Sequence, residues 1–467
     1  MKTRRGPVGC FGIRRAGLVL FLLAVATRQS ASGAEESGYR GVSRPAGFVA
    51  VDFPAGSLVL AGMPLHPFSR DIDSWLGWQL SGGPDKAGAE TLMFRDESLG
   101  QYITLYRMED GADESIEGHW VFDGPGGPEP VEVSVEAGEG FWIRSRSAGN
   151  RRLFLAGEVP VEGEYVHEVG PGLHVLASPY PQSCGIPQLV PPEDIGTGDR
   201  LTLWDPLASR YEIRTGAAGP GSGQGSGQGS GQGSGHGQWR TEGGGEAHAT
   251  RLLAAGEGFL LERLAGNPFT WRVSRPYAAP FARGAILPRI ESIDVIDSEG
   301  EDSGALLRIR VDPSRSRTLH ILYQDPPSGG GFDAYGWREA DRIALDGGAA
   351  VEWTDDDDHS RPAAARVPAR FYLLVCGDTD SDGDGLADGL EGFIHRTSPY
   401  RADSNGDGIP DGWLVRRGLD PLDPGVAQAN PSGDGIGNLS KYCRGLDPRV
   451  AYRRAAVGLR VASPLEK

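Results

Sequence analysis

The densest run of ligating side chains lies between Gly377 and Pro448, and its oxygens fall on alternate residues. From Asp380 the order is Asp380, Asp382, Asp384, Leu386, Asp388 and Glu391. Calcium takes six to eight hard oxygen ligands at about 2.3–2.6 Å, and a short loop can supply them only from every second residue. With Asp380 as position 1, carboxylates stand at 3, 5 and 9, the Leu386 carbonyl stands at 7, and Glu391 at 12 is placed to bind with both oxygens. Gly385 falls at position 6, where the loop must turn through positive φ. A flexible acidic linker would require neither that glycine nor the alternation. Nor would it require Leu390, Phe393 and Ile394 following at helical spacing.

The pattern recurs and decays. A second loop starts at Asp403 and continues with Asn405, Asp407, Gly408, Ile409 and Asp411, but position 12 is Leu414. A third starts at Asn430, with Ser432, Asp434, Gly435 and Asn438, and ends on Lys441 at position 12. Pro399, Pro421 and Pro448 close the three units at a nearly constant offset from Asp380, Asp403 and Asn430. RGLDP occurs from Arg417 and again from Arg444, the same separation as that of Asp403 from Asn430. The first two loops are expected to bind calcium, the second with a neighbour's oxygen. The third, with one carboxylate and a lysine, is expected to be a structural turn.

DTDSDGDGLADGLE and ADSNGDGIPDGW resemble thrombospondin type 3 repeats, the calcium-binding, aspartate-rich arrays of secreted proteins. They also resemble the loop-helix half of an EF-hand or a dockerin. The resemblance covers Asp378 to Pro448 and departs at Leu414 and throughout the third loop, which leaves the number of ions open. A paired EF-hand needs a helix before its loop, and ARFYLLVC reads as a strand, which favours the type 3 array. The resemblance implies Ca2+ as the bound cofactor. It implies Asp380, Asp382, Asp384, Leu386, Asp388, Glu391, Asp403, Asn405, Asp407, Ile409 and Asp411 as the metal-binding residues. Such an array behind tandem β domains is also similar in layout to large modular surface and secreted proteins of environmental bacteria.

The elements that must position these loops are strands. Of 467 residues, 71 are Gly and 34 are Pro, too many turn formers for a helical bundle, a coiled coil or a TIM barrel. Most segments alternate apolar and polar residues over five to eight positions between Gly, Pro and Asp. VEAGEGFWIRS (135–145) recurs as LAAGEGFLLER (253–263), and SLVLAGMP (57–64) as LHVLASPYP (173–181). ITLYR at Ile103 is matched with LTLWD at Leu201, and HWVFDG at His119 with QWRTEG at Gln238, in the same order. The glycine-, serine- and glutamine-rich stretch 216–237 lies between strand-like segments, so it reads as a disordered hairpin loop rather than a phosphate cradle. The expected architecture is mainly β. Two tandem duplicated β domains occupy 45–160 and 161–285, and an immunoglobulin- or fibronectin III-like β-sandwich occupies 287–376. A C-terminal calcium-binding loop-helix repeat array occupies 378–448, and 449–467 is a tail. Asp355–Asp358 is expected in a solvated loop of the sandwich.

The stretch 1–34 reads as a signal peptide. A basic, acid-free lead precedes the apolar run Ala16–Ala26, which is too short to span a membrane. Its removal would take the formal net charge from −17 to −23. That balance argues against a nucleic-acid partner, and no later stretch suggests a transmembrane segment. Cys184, Cys376 and Cys443 would remain, with a Cys376–Cys443 pair and three free thiols both open. HExxH, GxSxG on a strand-to-helix turn and CxxC are all absent from the sequence. Glu136 and Glu139 form an acidic pair without catalytic meaning by spacing alone, and Trp142, Trp204 and Trp353 read as packing residues. The expected function is therefore that of a non-catalytic, secreted or cell-surface, calcium-binding modular protein of structural or adhesive role. Its candidate macromolecular partner is a cell-surface glycan or protein. The alternative is carbohydrate binding or processing on the duplicated domains.

Overall fold

The computed structural model describes residues 41–452 except 70, 73–75, 77–78, 97–99, 110–114, 132, 191–197, 218–237, 242–250, 265–267, 280–287, 297–303, 313, 315, 327–330, 357–358 and 361. The signal-peptide reading, nearly all of the glycine-rich loop and most of the tail fall outside the described residues. What is described is mainly β, in six antiparallel sheets, with helix confined to short pieces of about one turn. Among the described residues no helix is long and apolar enough to cross a membrane.

The site hangs from one strand. Ala369–Cys376 is buried at every position, so both of its faces and both of its edges are covered. Thr318–Gln324 pairs with one edge and Ala46–Phe53 with the other. Arg338–Ala344 and Arg151–Glu158 complete a five-stranded sheet. A three-stranded sheet of Arg289–Ile296, Gly304–Arg310 and Ala350–Asp355 shares its core, through Phe48, Phe154, Ile293, Leu307, Ile321 and Tyr372. The sandwich region therefore takes two strands from the chain's first unit. Local alternation does not encode that arrangement, because it depends on pairing between strands near opposite ends of the β region.

Asp355 departs from the solvated-loop expectation. It is fully buried and accepts from Arg370 Nη1 at 2.9 Å, Tyr372 Oη at 2.7 Å and Ser360 Oγ. Strand Ala350–Asp355 carries it inward beside a buried guanidinium, and a buried charge persists where it is paired and hydrogen-bonded.

Two further sheets share one strand order. In the first, Leu58–Gly62, Gly140–Arg144, Thr91–Asp96, Gln101–Arg107 and Trp120–Gly124 lie side by side, with Gly127–Pro130 at the edge. In the second the order is Gly172–Ala177, Gly258–Arg263, Arg200–Asp205, Arg210–Ala217 and Gln238–Thr241. Registers correspond as well. Leu92 faces Ile143 as Leu201 faces Leu261, and Arg107 faces Trp120 as Gly216 faces Trp239. Gly138 and Gly256, in the two AGEG turns, have φ of +85° and +82°. Pairing changes two of the sequence equivalences. LTLWD takes the place of LMFRD (92–96) rather than ITLYR, and Leu176 rather than Ala177 corresponds to Ala61. Strands of similar alternation look alike in sequence, and only the ladder tells them apart.

The two sheets meet reciprocally. Gly62 N donates to Gly256 O and Ala177 N to Gly138 O, both at 2.9 Å. Trp204 Nε1 donates to Leu58 O, and Arg95 Nε to Leu173 O at 3.0 Å. Leu60, Trp142, Trp204 and Leu260 form a small core between the sheets, so Trp142 and Trp204 are packing residues, as Trp353 is in the sandwich.

Candidate metal centre

The buried strand Ala369–Cys376 delivers the first loop. At its end Cys376 N donates to Gly41 O at 2.7 Å and Gly377 N to Thr318 O at 2.8 Å. The loop returns as a short helix, Asp388–Leu390, that continues into a π-helical turn, Glu391–His395. This piece lies on the strand because Gly389 has no side chain. A Cβ there would stand 2.5 Å from Val375 Cγ1 and 2.8 Å from Val42 Cγ2. Ala387 and Phe393 join the large core beside Val42 and Val375. The loop is thus anchored to a strand that is buried along its whole length.

Within the loop, carboxylate oxygens of Asp380, Asp382 and Asp384 lie within 4.8 Å of one another. The backbone holds them there. Asp380 accepts from Gly383 N and Gly385 N, both at 2.8 Å, and the two glycines adopt φ of +77° and +87°. Asp384 Oδ1 accepts from Leu386 N at 2.8 Å, and its Oδ2 from Gly412 N at 2.6 Å, which ties this loop to the start of the helix Asp411–Val415. Arg416 Nη1 reaches back to Gly385 O at 2.9 Å.

Glu391 is fully buried. Its Oε1 accepts from Thr397 Oγ1 at 3.2 Å, and its Oε2 has no partner among the described residues. Asp382 Oδ2 is likewise buried and unpartnered. Burial, reinforced by the charges of Asp382 and Asp384, pushes the Glu391 carboxyl up to about 8. Burial also raises Asp382, with Asp384 and Asp380 adding repulsion. Buried polar atoms are nearly always satisfied, and adjacent carboxylates cannot all ionise without a counter-charge. This donor set fits a hard cation.

Asp388 is placed otherwise. Its two oxygens accept from Ser381 N at 2.7 Å and Ser381 Oγ at 2.6 Å, so it braces the loop and is not one of the converging acids. Asp411 does the same in the second loop, accepting from Ser404 N at 3.0 Å. There Asp403 accepts from Gly406 N and Gly408 N, both at 2.8 Å, repeating the pattern of Asp380. Asp407 Oδ1 accepts from Ile409 N at 2.9 Å, and the Ile409 side chain is buried. Asn405 Nδ2 sits among three oxygens, at 3.2 Å from Asp407 Oδ2, 2.7 Å from Pro421 O and 3.4 Å from Asp423 O. Leu414 fills a small core with Ile409, Trp413, Val426 and Ala427.

Two features escaped the sequence reading. Glycine is required at position 4 as well as 6, since Gly383, Gly406 and Gly433 all have positive φ, and the recurring G-D-G carried that signal. The other is the bracing of position 2 by position 9, which accompanies a serine at 381 and at 404. The first unit has one more residue before its closing proline, Pro399, than the other two have. That insertion falls where the first unit alone has a π-turn, since i→i+5 bonding absorbs an extra residue. Asn438, which opens the formal glycosylation sequon Asn438-Leu439-Ser440, is fully buried, with Nδ2 donating to Val426 O at 2.8 Å. Cys184, Cys376 and Cys443 are free thiols. Glu139 Oε2 accepts from Glu136 N at 3.1 Å within a turn, a structural contact. No protein-family model and no curated protein matches this chain.

Proposed function

We propose that the chain is a non-catalytic, secreted or cell-surface modular protein whose C-terminal loops bind calcium in the manner of thrombospondin type 3 repeats. The observation that carries this reading is the pair of buried, unpartnered oxygens, Glu391 Oε2 and Asp382 Oδ2, beside the Asp380–Asp382–Asp384 group. An all-oxygen donor set favours calcium or magnesium over zinc or copper. Magnesium demands a near-ideal octahedron and keeps its water, whereas calcium accepts the irregular shell that a loop of this kind offers.

Asp380, Asp382, Asp384, the Leu386 carbonyl and Glu391 would hold the first ion, with Asp388 as a brace. Asp403, Asn405, Asp407 and the Ile409 carbonyl would hold a second. The Pro421 and Asp423 carbonyls, which accept from Asn405 Nδ2 beside this loop, would stand in for the ligand missing at Leu414. A bound cation supplies charge neutralisation and cross-linking. The chain's own residues align the loop, bury its base and fasten it to the strand Ala369–Cys376. Under this reading the sandwich region is an immunoglobulin- or fibronectin III-like spacer closed by two strands of the first unit. The two corresponding sheets are copies of one unit.

A carbohydrate-binding role for those sheets has one observation in its favour. Tyr102 and Tyr211 occupy corresponding positions on Gln101–Arg107 and Arg210–Ala217 and remain 39% and 52% exposed, which is the form of a stacking surface.

Calorimetric titration of the full chain with calcium tests the main reading. Binding is expected at about 10⁻⁴–10⁻³ M, the range of extracellular modules. Glu391→Gln should weaken the tighter site by about tenfold or more, because it removes the side chain placed to be bidentate. Absence of calcium heat, or an unaffected Glu391→Gln protein, would sink it.

A further inference from the structure

We propose that Lys441 is a built-in cation, its ammonium doing in the third loop what a metal ion does in the first. The inference rests on the calcium reading of the first loop and concerns a residue which that reading leaves out.

Position 12 is buried in all three loops, at Glu391, Leu414 and Lys441, each with essentially no exposure. A lysine reaches such depth only where oxygens replace its water. Here they do. Nζ lies 3.0 Å from Asp434 Oδ2, and donates to Ser432 Oγ, to Pro448 O at 3.2 Å and to Val450 O at 3.0 Å. Ser432 and Asp434 are positions 3 and 5, the ligand positions of the first loop, and the Tyr452 ring adds a cation–π contact at 5.7 Å.

Three other changes in this loop agree with a fixed monovalent charge. Asn430 replaces the aspartate at position 1, which leaves Asp434 as the one carboxylate to match one ammonium. Pro431 at position 2 has no N–H, and position 9 is correspondingly the neutral Asn438, turned to Val426 O. The surrounding oxygens also come from further down the chain. Pro448 and Val450 supply carbonyls, and Tyr452 N donates to Asp434 Oδ2 at 2.8 Å. The ammonium therefore closes segment 448–452 over the loop. A divalent ion at this point would meet like charge and one carboxylate. The third loop is a clasp that needs no calcium, at the far end of an array that does.

Hydrogen exchange on the full chain, with and without chelator, tests this. In wild type, residues 430–446 should keep their protection in chelator. Lys441→Met should exchange about tenfold faster or more across that segment in both buffers, with 46–158 as the control for overall folding. Lys441→Glu, which restores a carboxylate at position 12, should lose protection in chelator and regain it in calcium. Unchanged protection in Lys441→Met would overturn the proposal, as would wild-type loss of protection at 430–446 on chelation. Should the first two loops ignore calcium while Lys441→Met still loosens the third, the calcium reading fails and the clasp stands.

Discussion

The first and third loops share a backbone and differ in the chemistry at their centre. Gly383 and Gly385 turn the first at φ of +77° and +87°, and Gly433 and Gly435 turn the third at +70° and +76°. In each, the position-5 aspartate accepts from the amide two residues on, Leu386 N or Ile436 N, at 2.8 Å. At position 12 the two diverge. Glu391 is a buried acid with an orphaned oxygen, and its carboxyl is pushed up to about 8. Lys441 is a buried base surrounded by oxygen, and its partner Asp434 is held well below the usual carboxylate range. Burial opposes that shift, but the Tyr452 and Ile436 amides and the ammonium outweigh it. Turn glycines and hydrogen bonds from side chain to backbone set the loop's shape, and the positive charge at its centre can be brought from solution or supplied by the chain.

The strongest way to break this comparison is to exchange the central charge. Glu391→Lys should make the first loop resemble the third. The calcium-dependent change in amide exchange at residues 380–391, expected to be on the order of a hundredfold in wild type, should shrink to within about threefold. A variant that kept its calcium response would show that position 12 does not govern the site.

The second loop sharpens the contrast, because its position 12 belongs to a core. Leu414→Ala should cost about 2–5 kcal/mol of local stability, read by hydrogen exchange over residues 405–442, and Leu414→Met less than about 1.5 kcal/mol. Equal effects of the two would place Leu414 outside that core.

Acid gives the smallest effect. A carboxylate whose folded pKa lies below its ordinary value of 3.8 stabilises in full above that value and loses its contribution as the pH falls through the folded pKa. In chelator, protection of the third loop should stay level from pH 6 to about 4.5 and decline only below the ordinary carboxylate value. Loosening already at pH 5–6 would mean that Asp434 and Lys441 are not coupled.

Much of this was legible in the residues themselves. Turn-former density and period-two alternation announced a β protein. Alternating acids with glycine at position 6 marked the loops, and Leu414 and Lys441 marked where the pattern decays. The bracing role of Asp388 was not legible, because a carboxylate at position 9 reads the same whether it faces an ion or Ser381. Nor was the second partner of the strand Ala369–Cys376, which is Ala46–Phe53 from the far end of the β region.

The chain by itself determined what depends on neighbours a few residues apart, such as loops, turns, strands and their order. Tertiary structure alone decided which strands pair, which carboxylates converge and which are already satisfied, and how deeply Glu391 and Lys441 lie. The reason is physical. Local sequence constrains φ, ψ and the hydrogen bonds within reach of one turn, whereas burial and ladder register are properties of surfaces that meet only when the whole chain has folded.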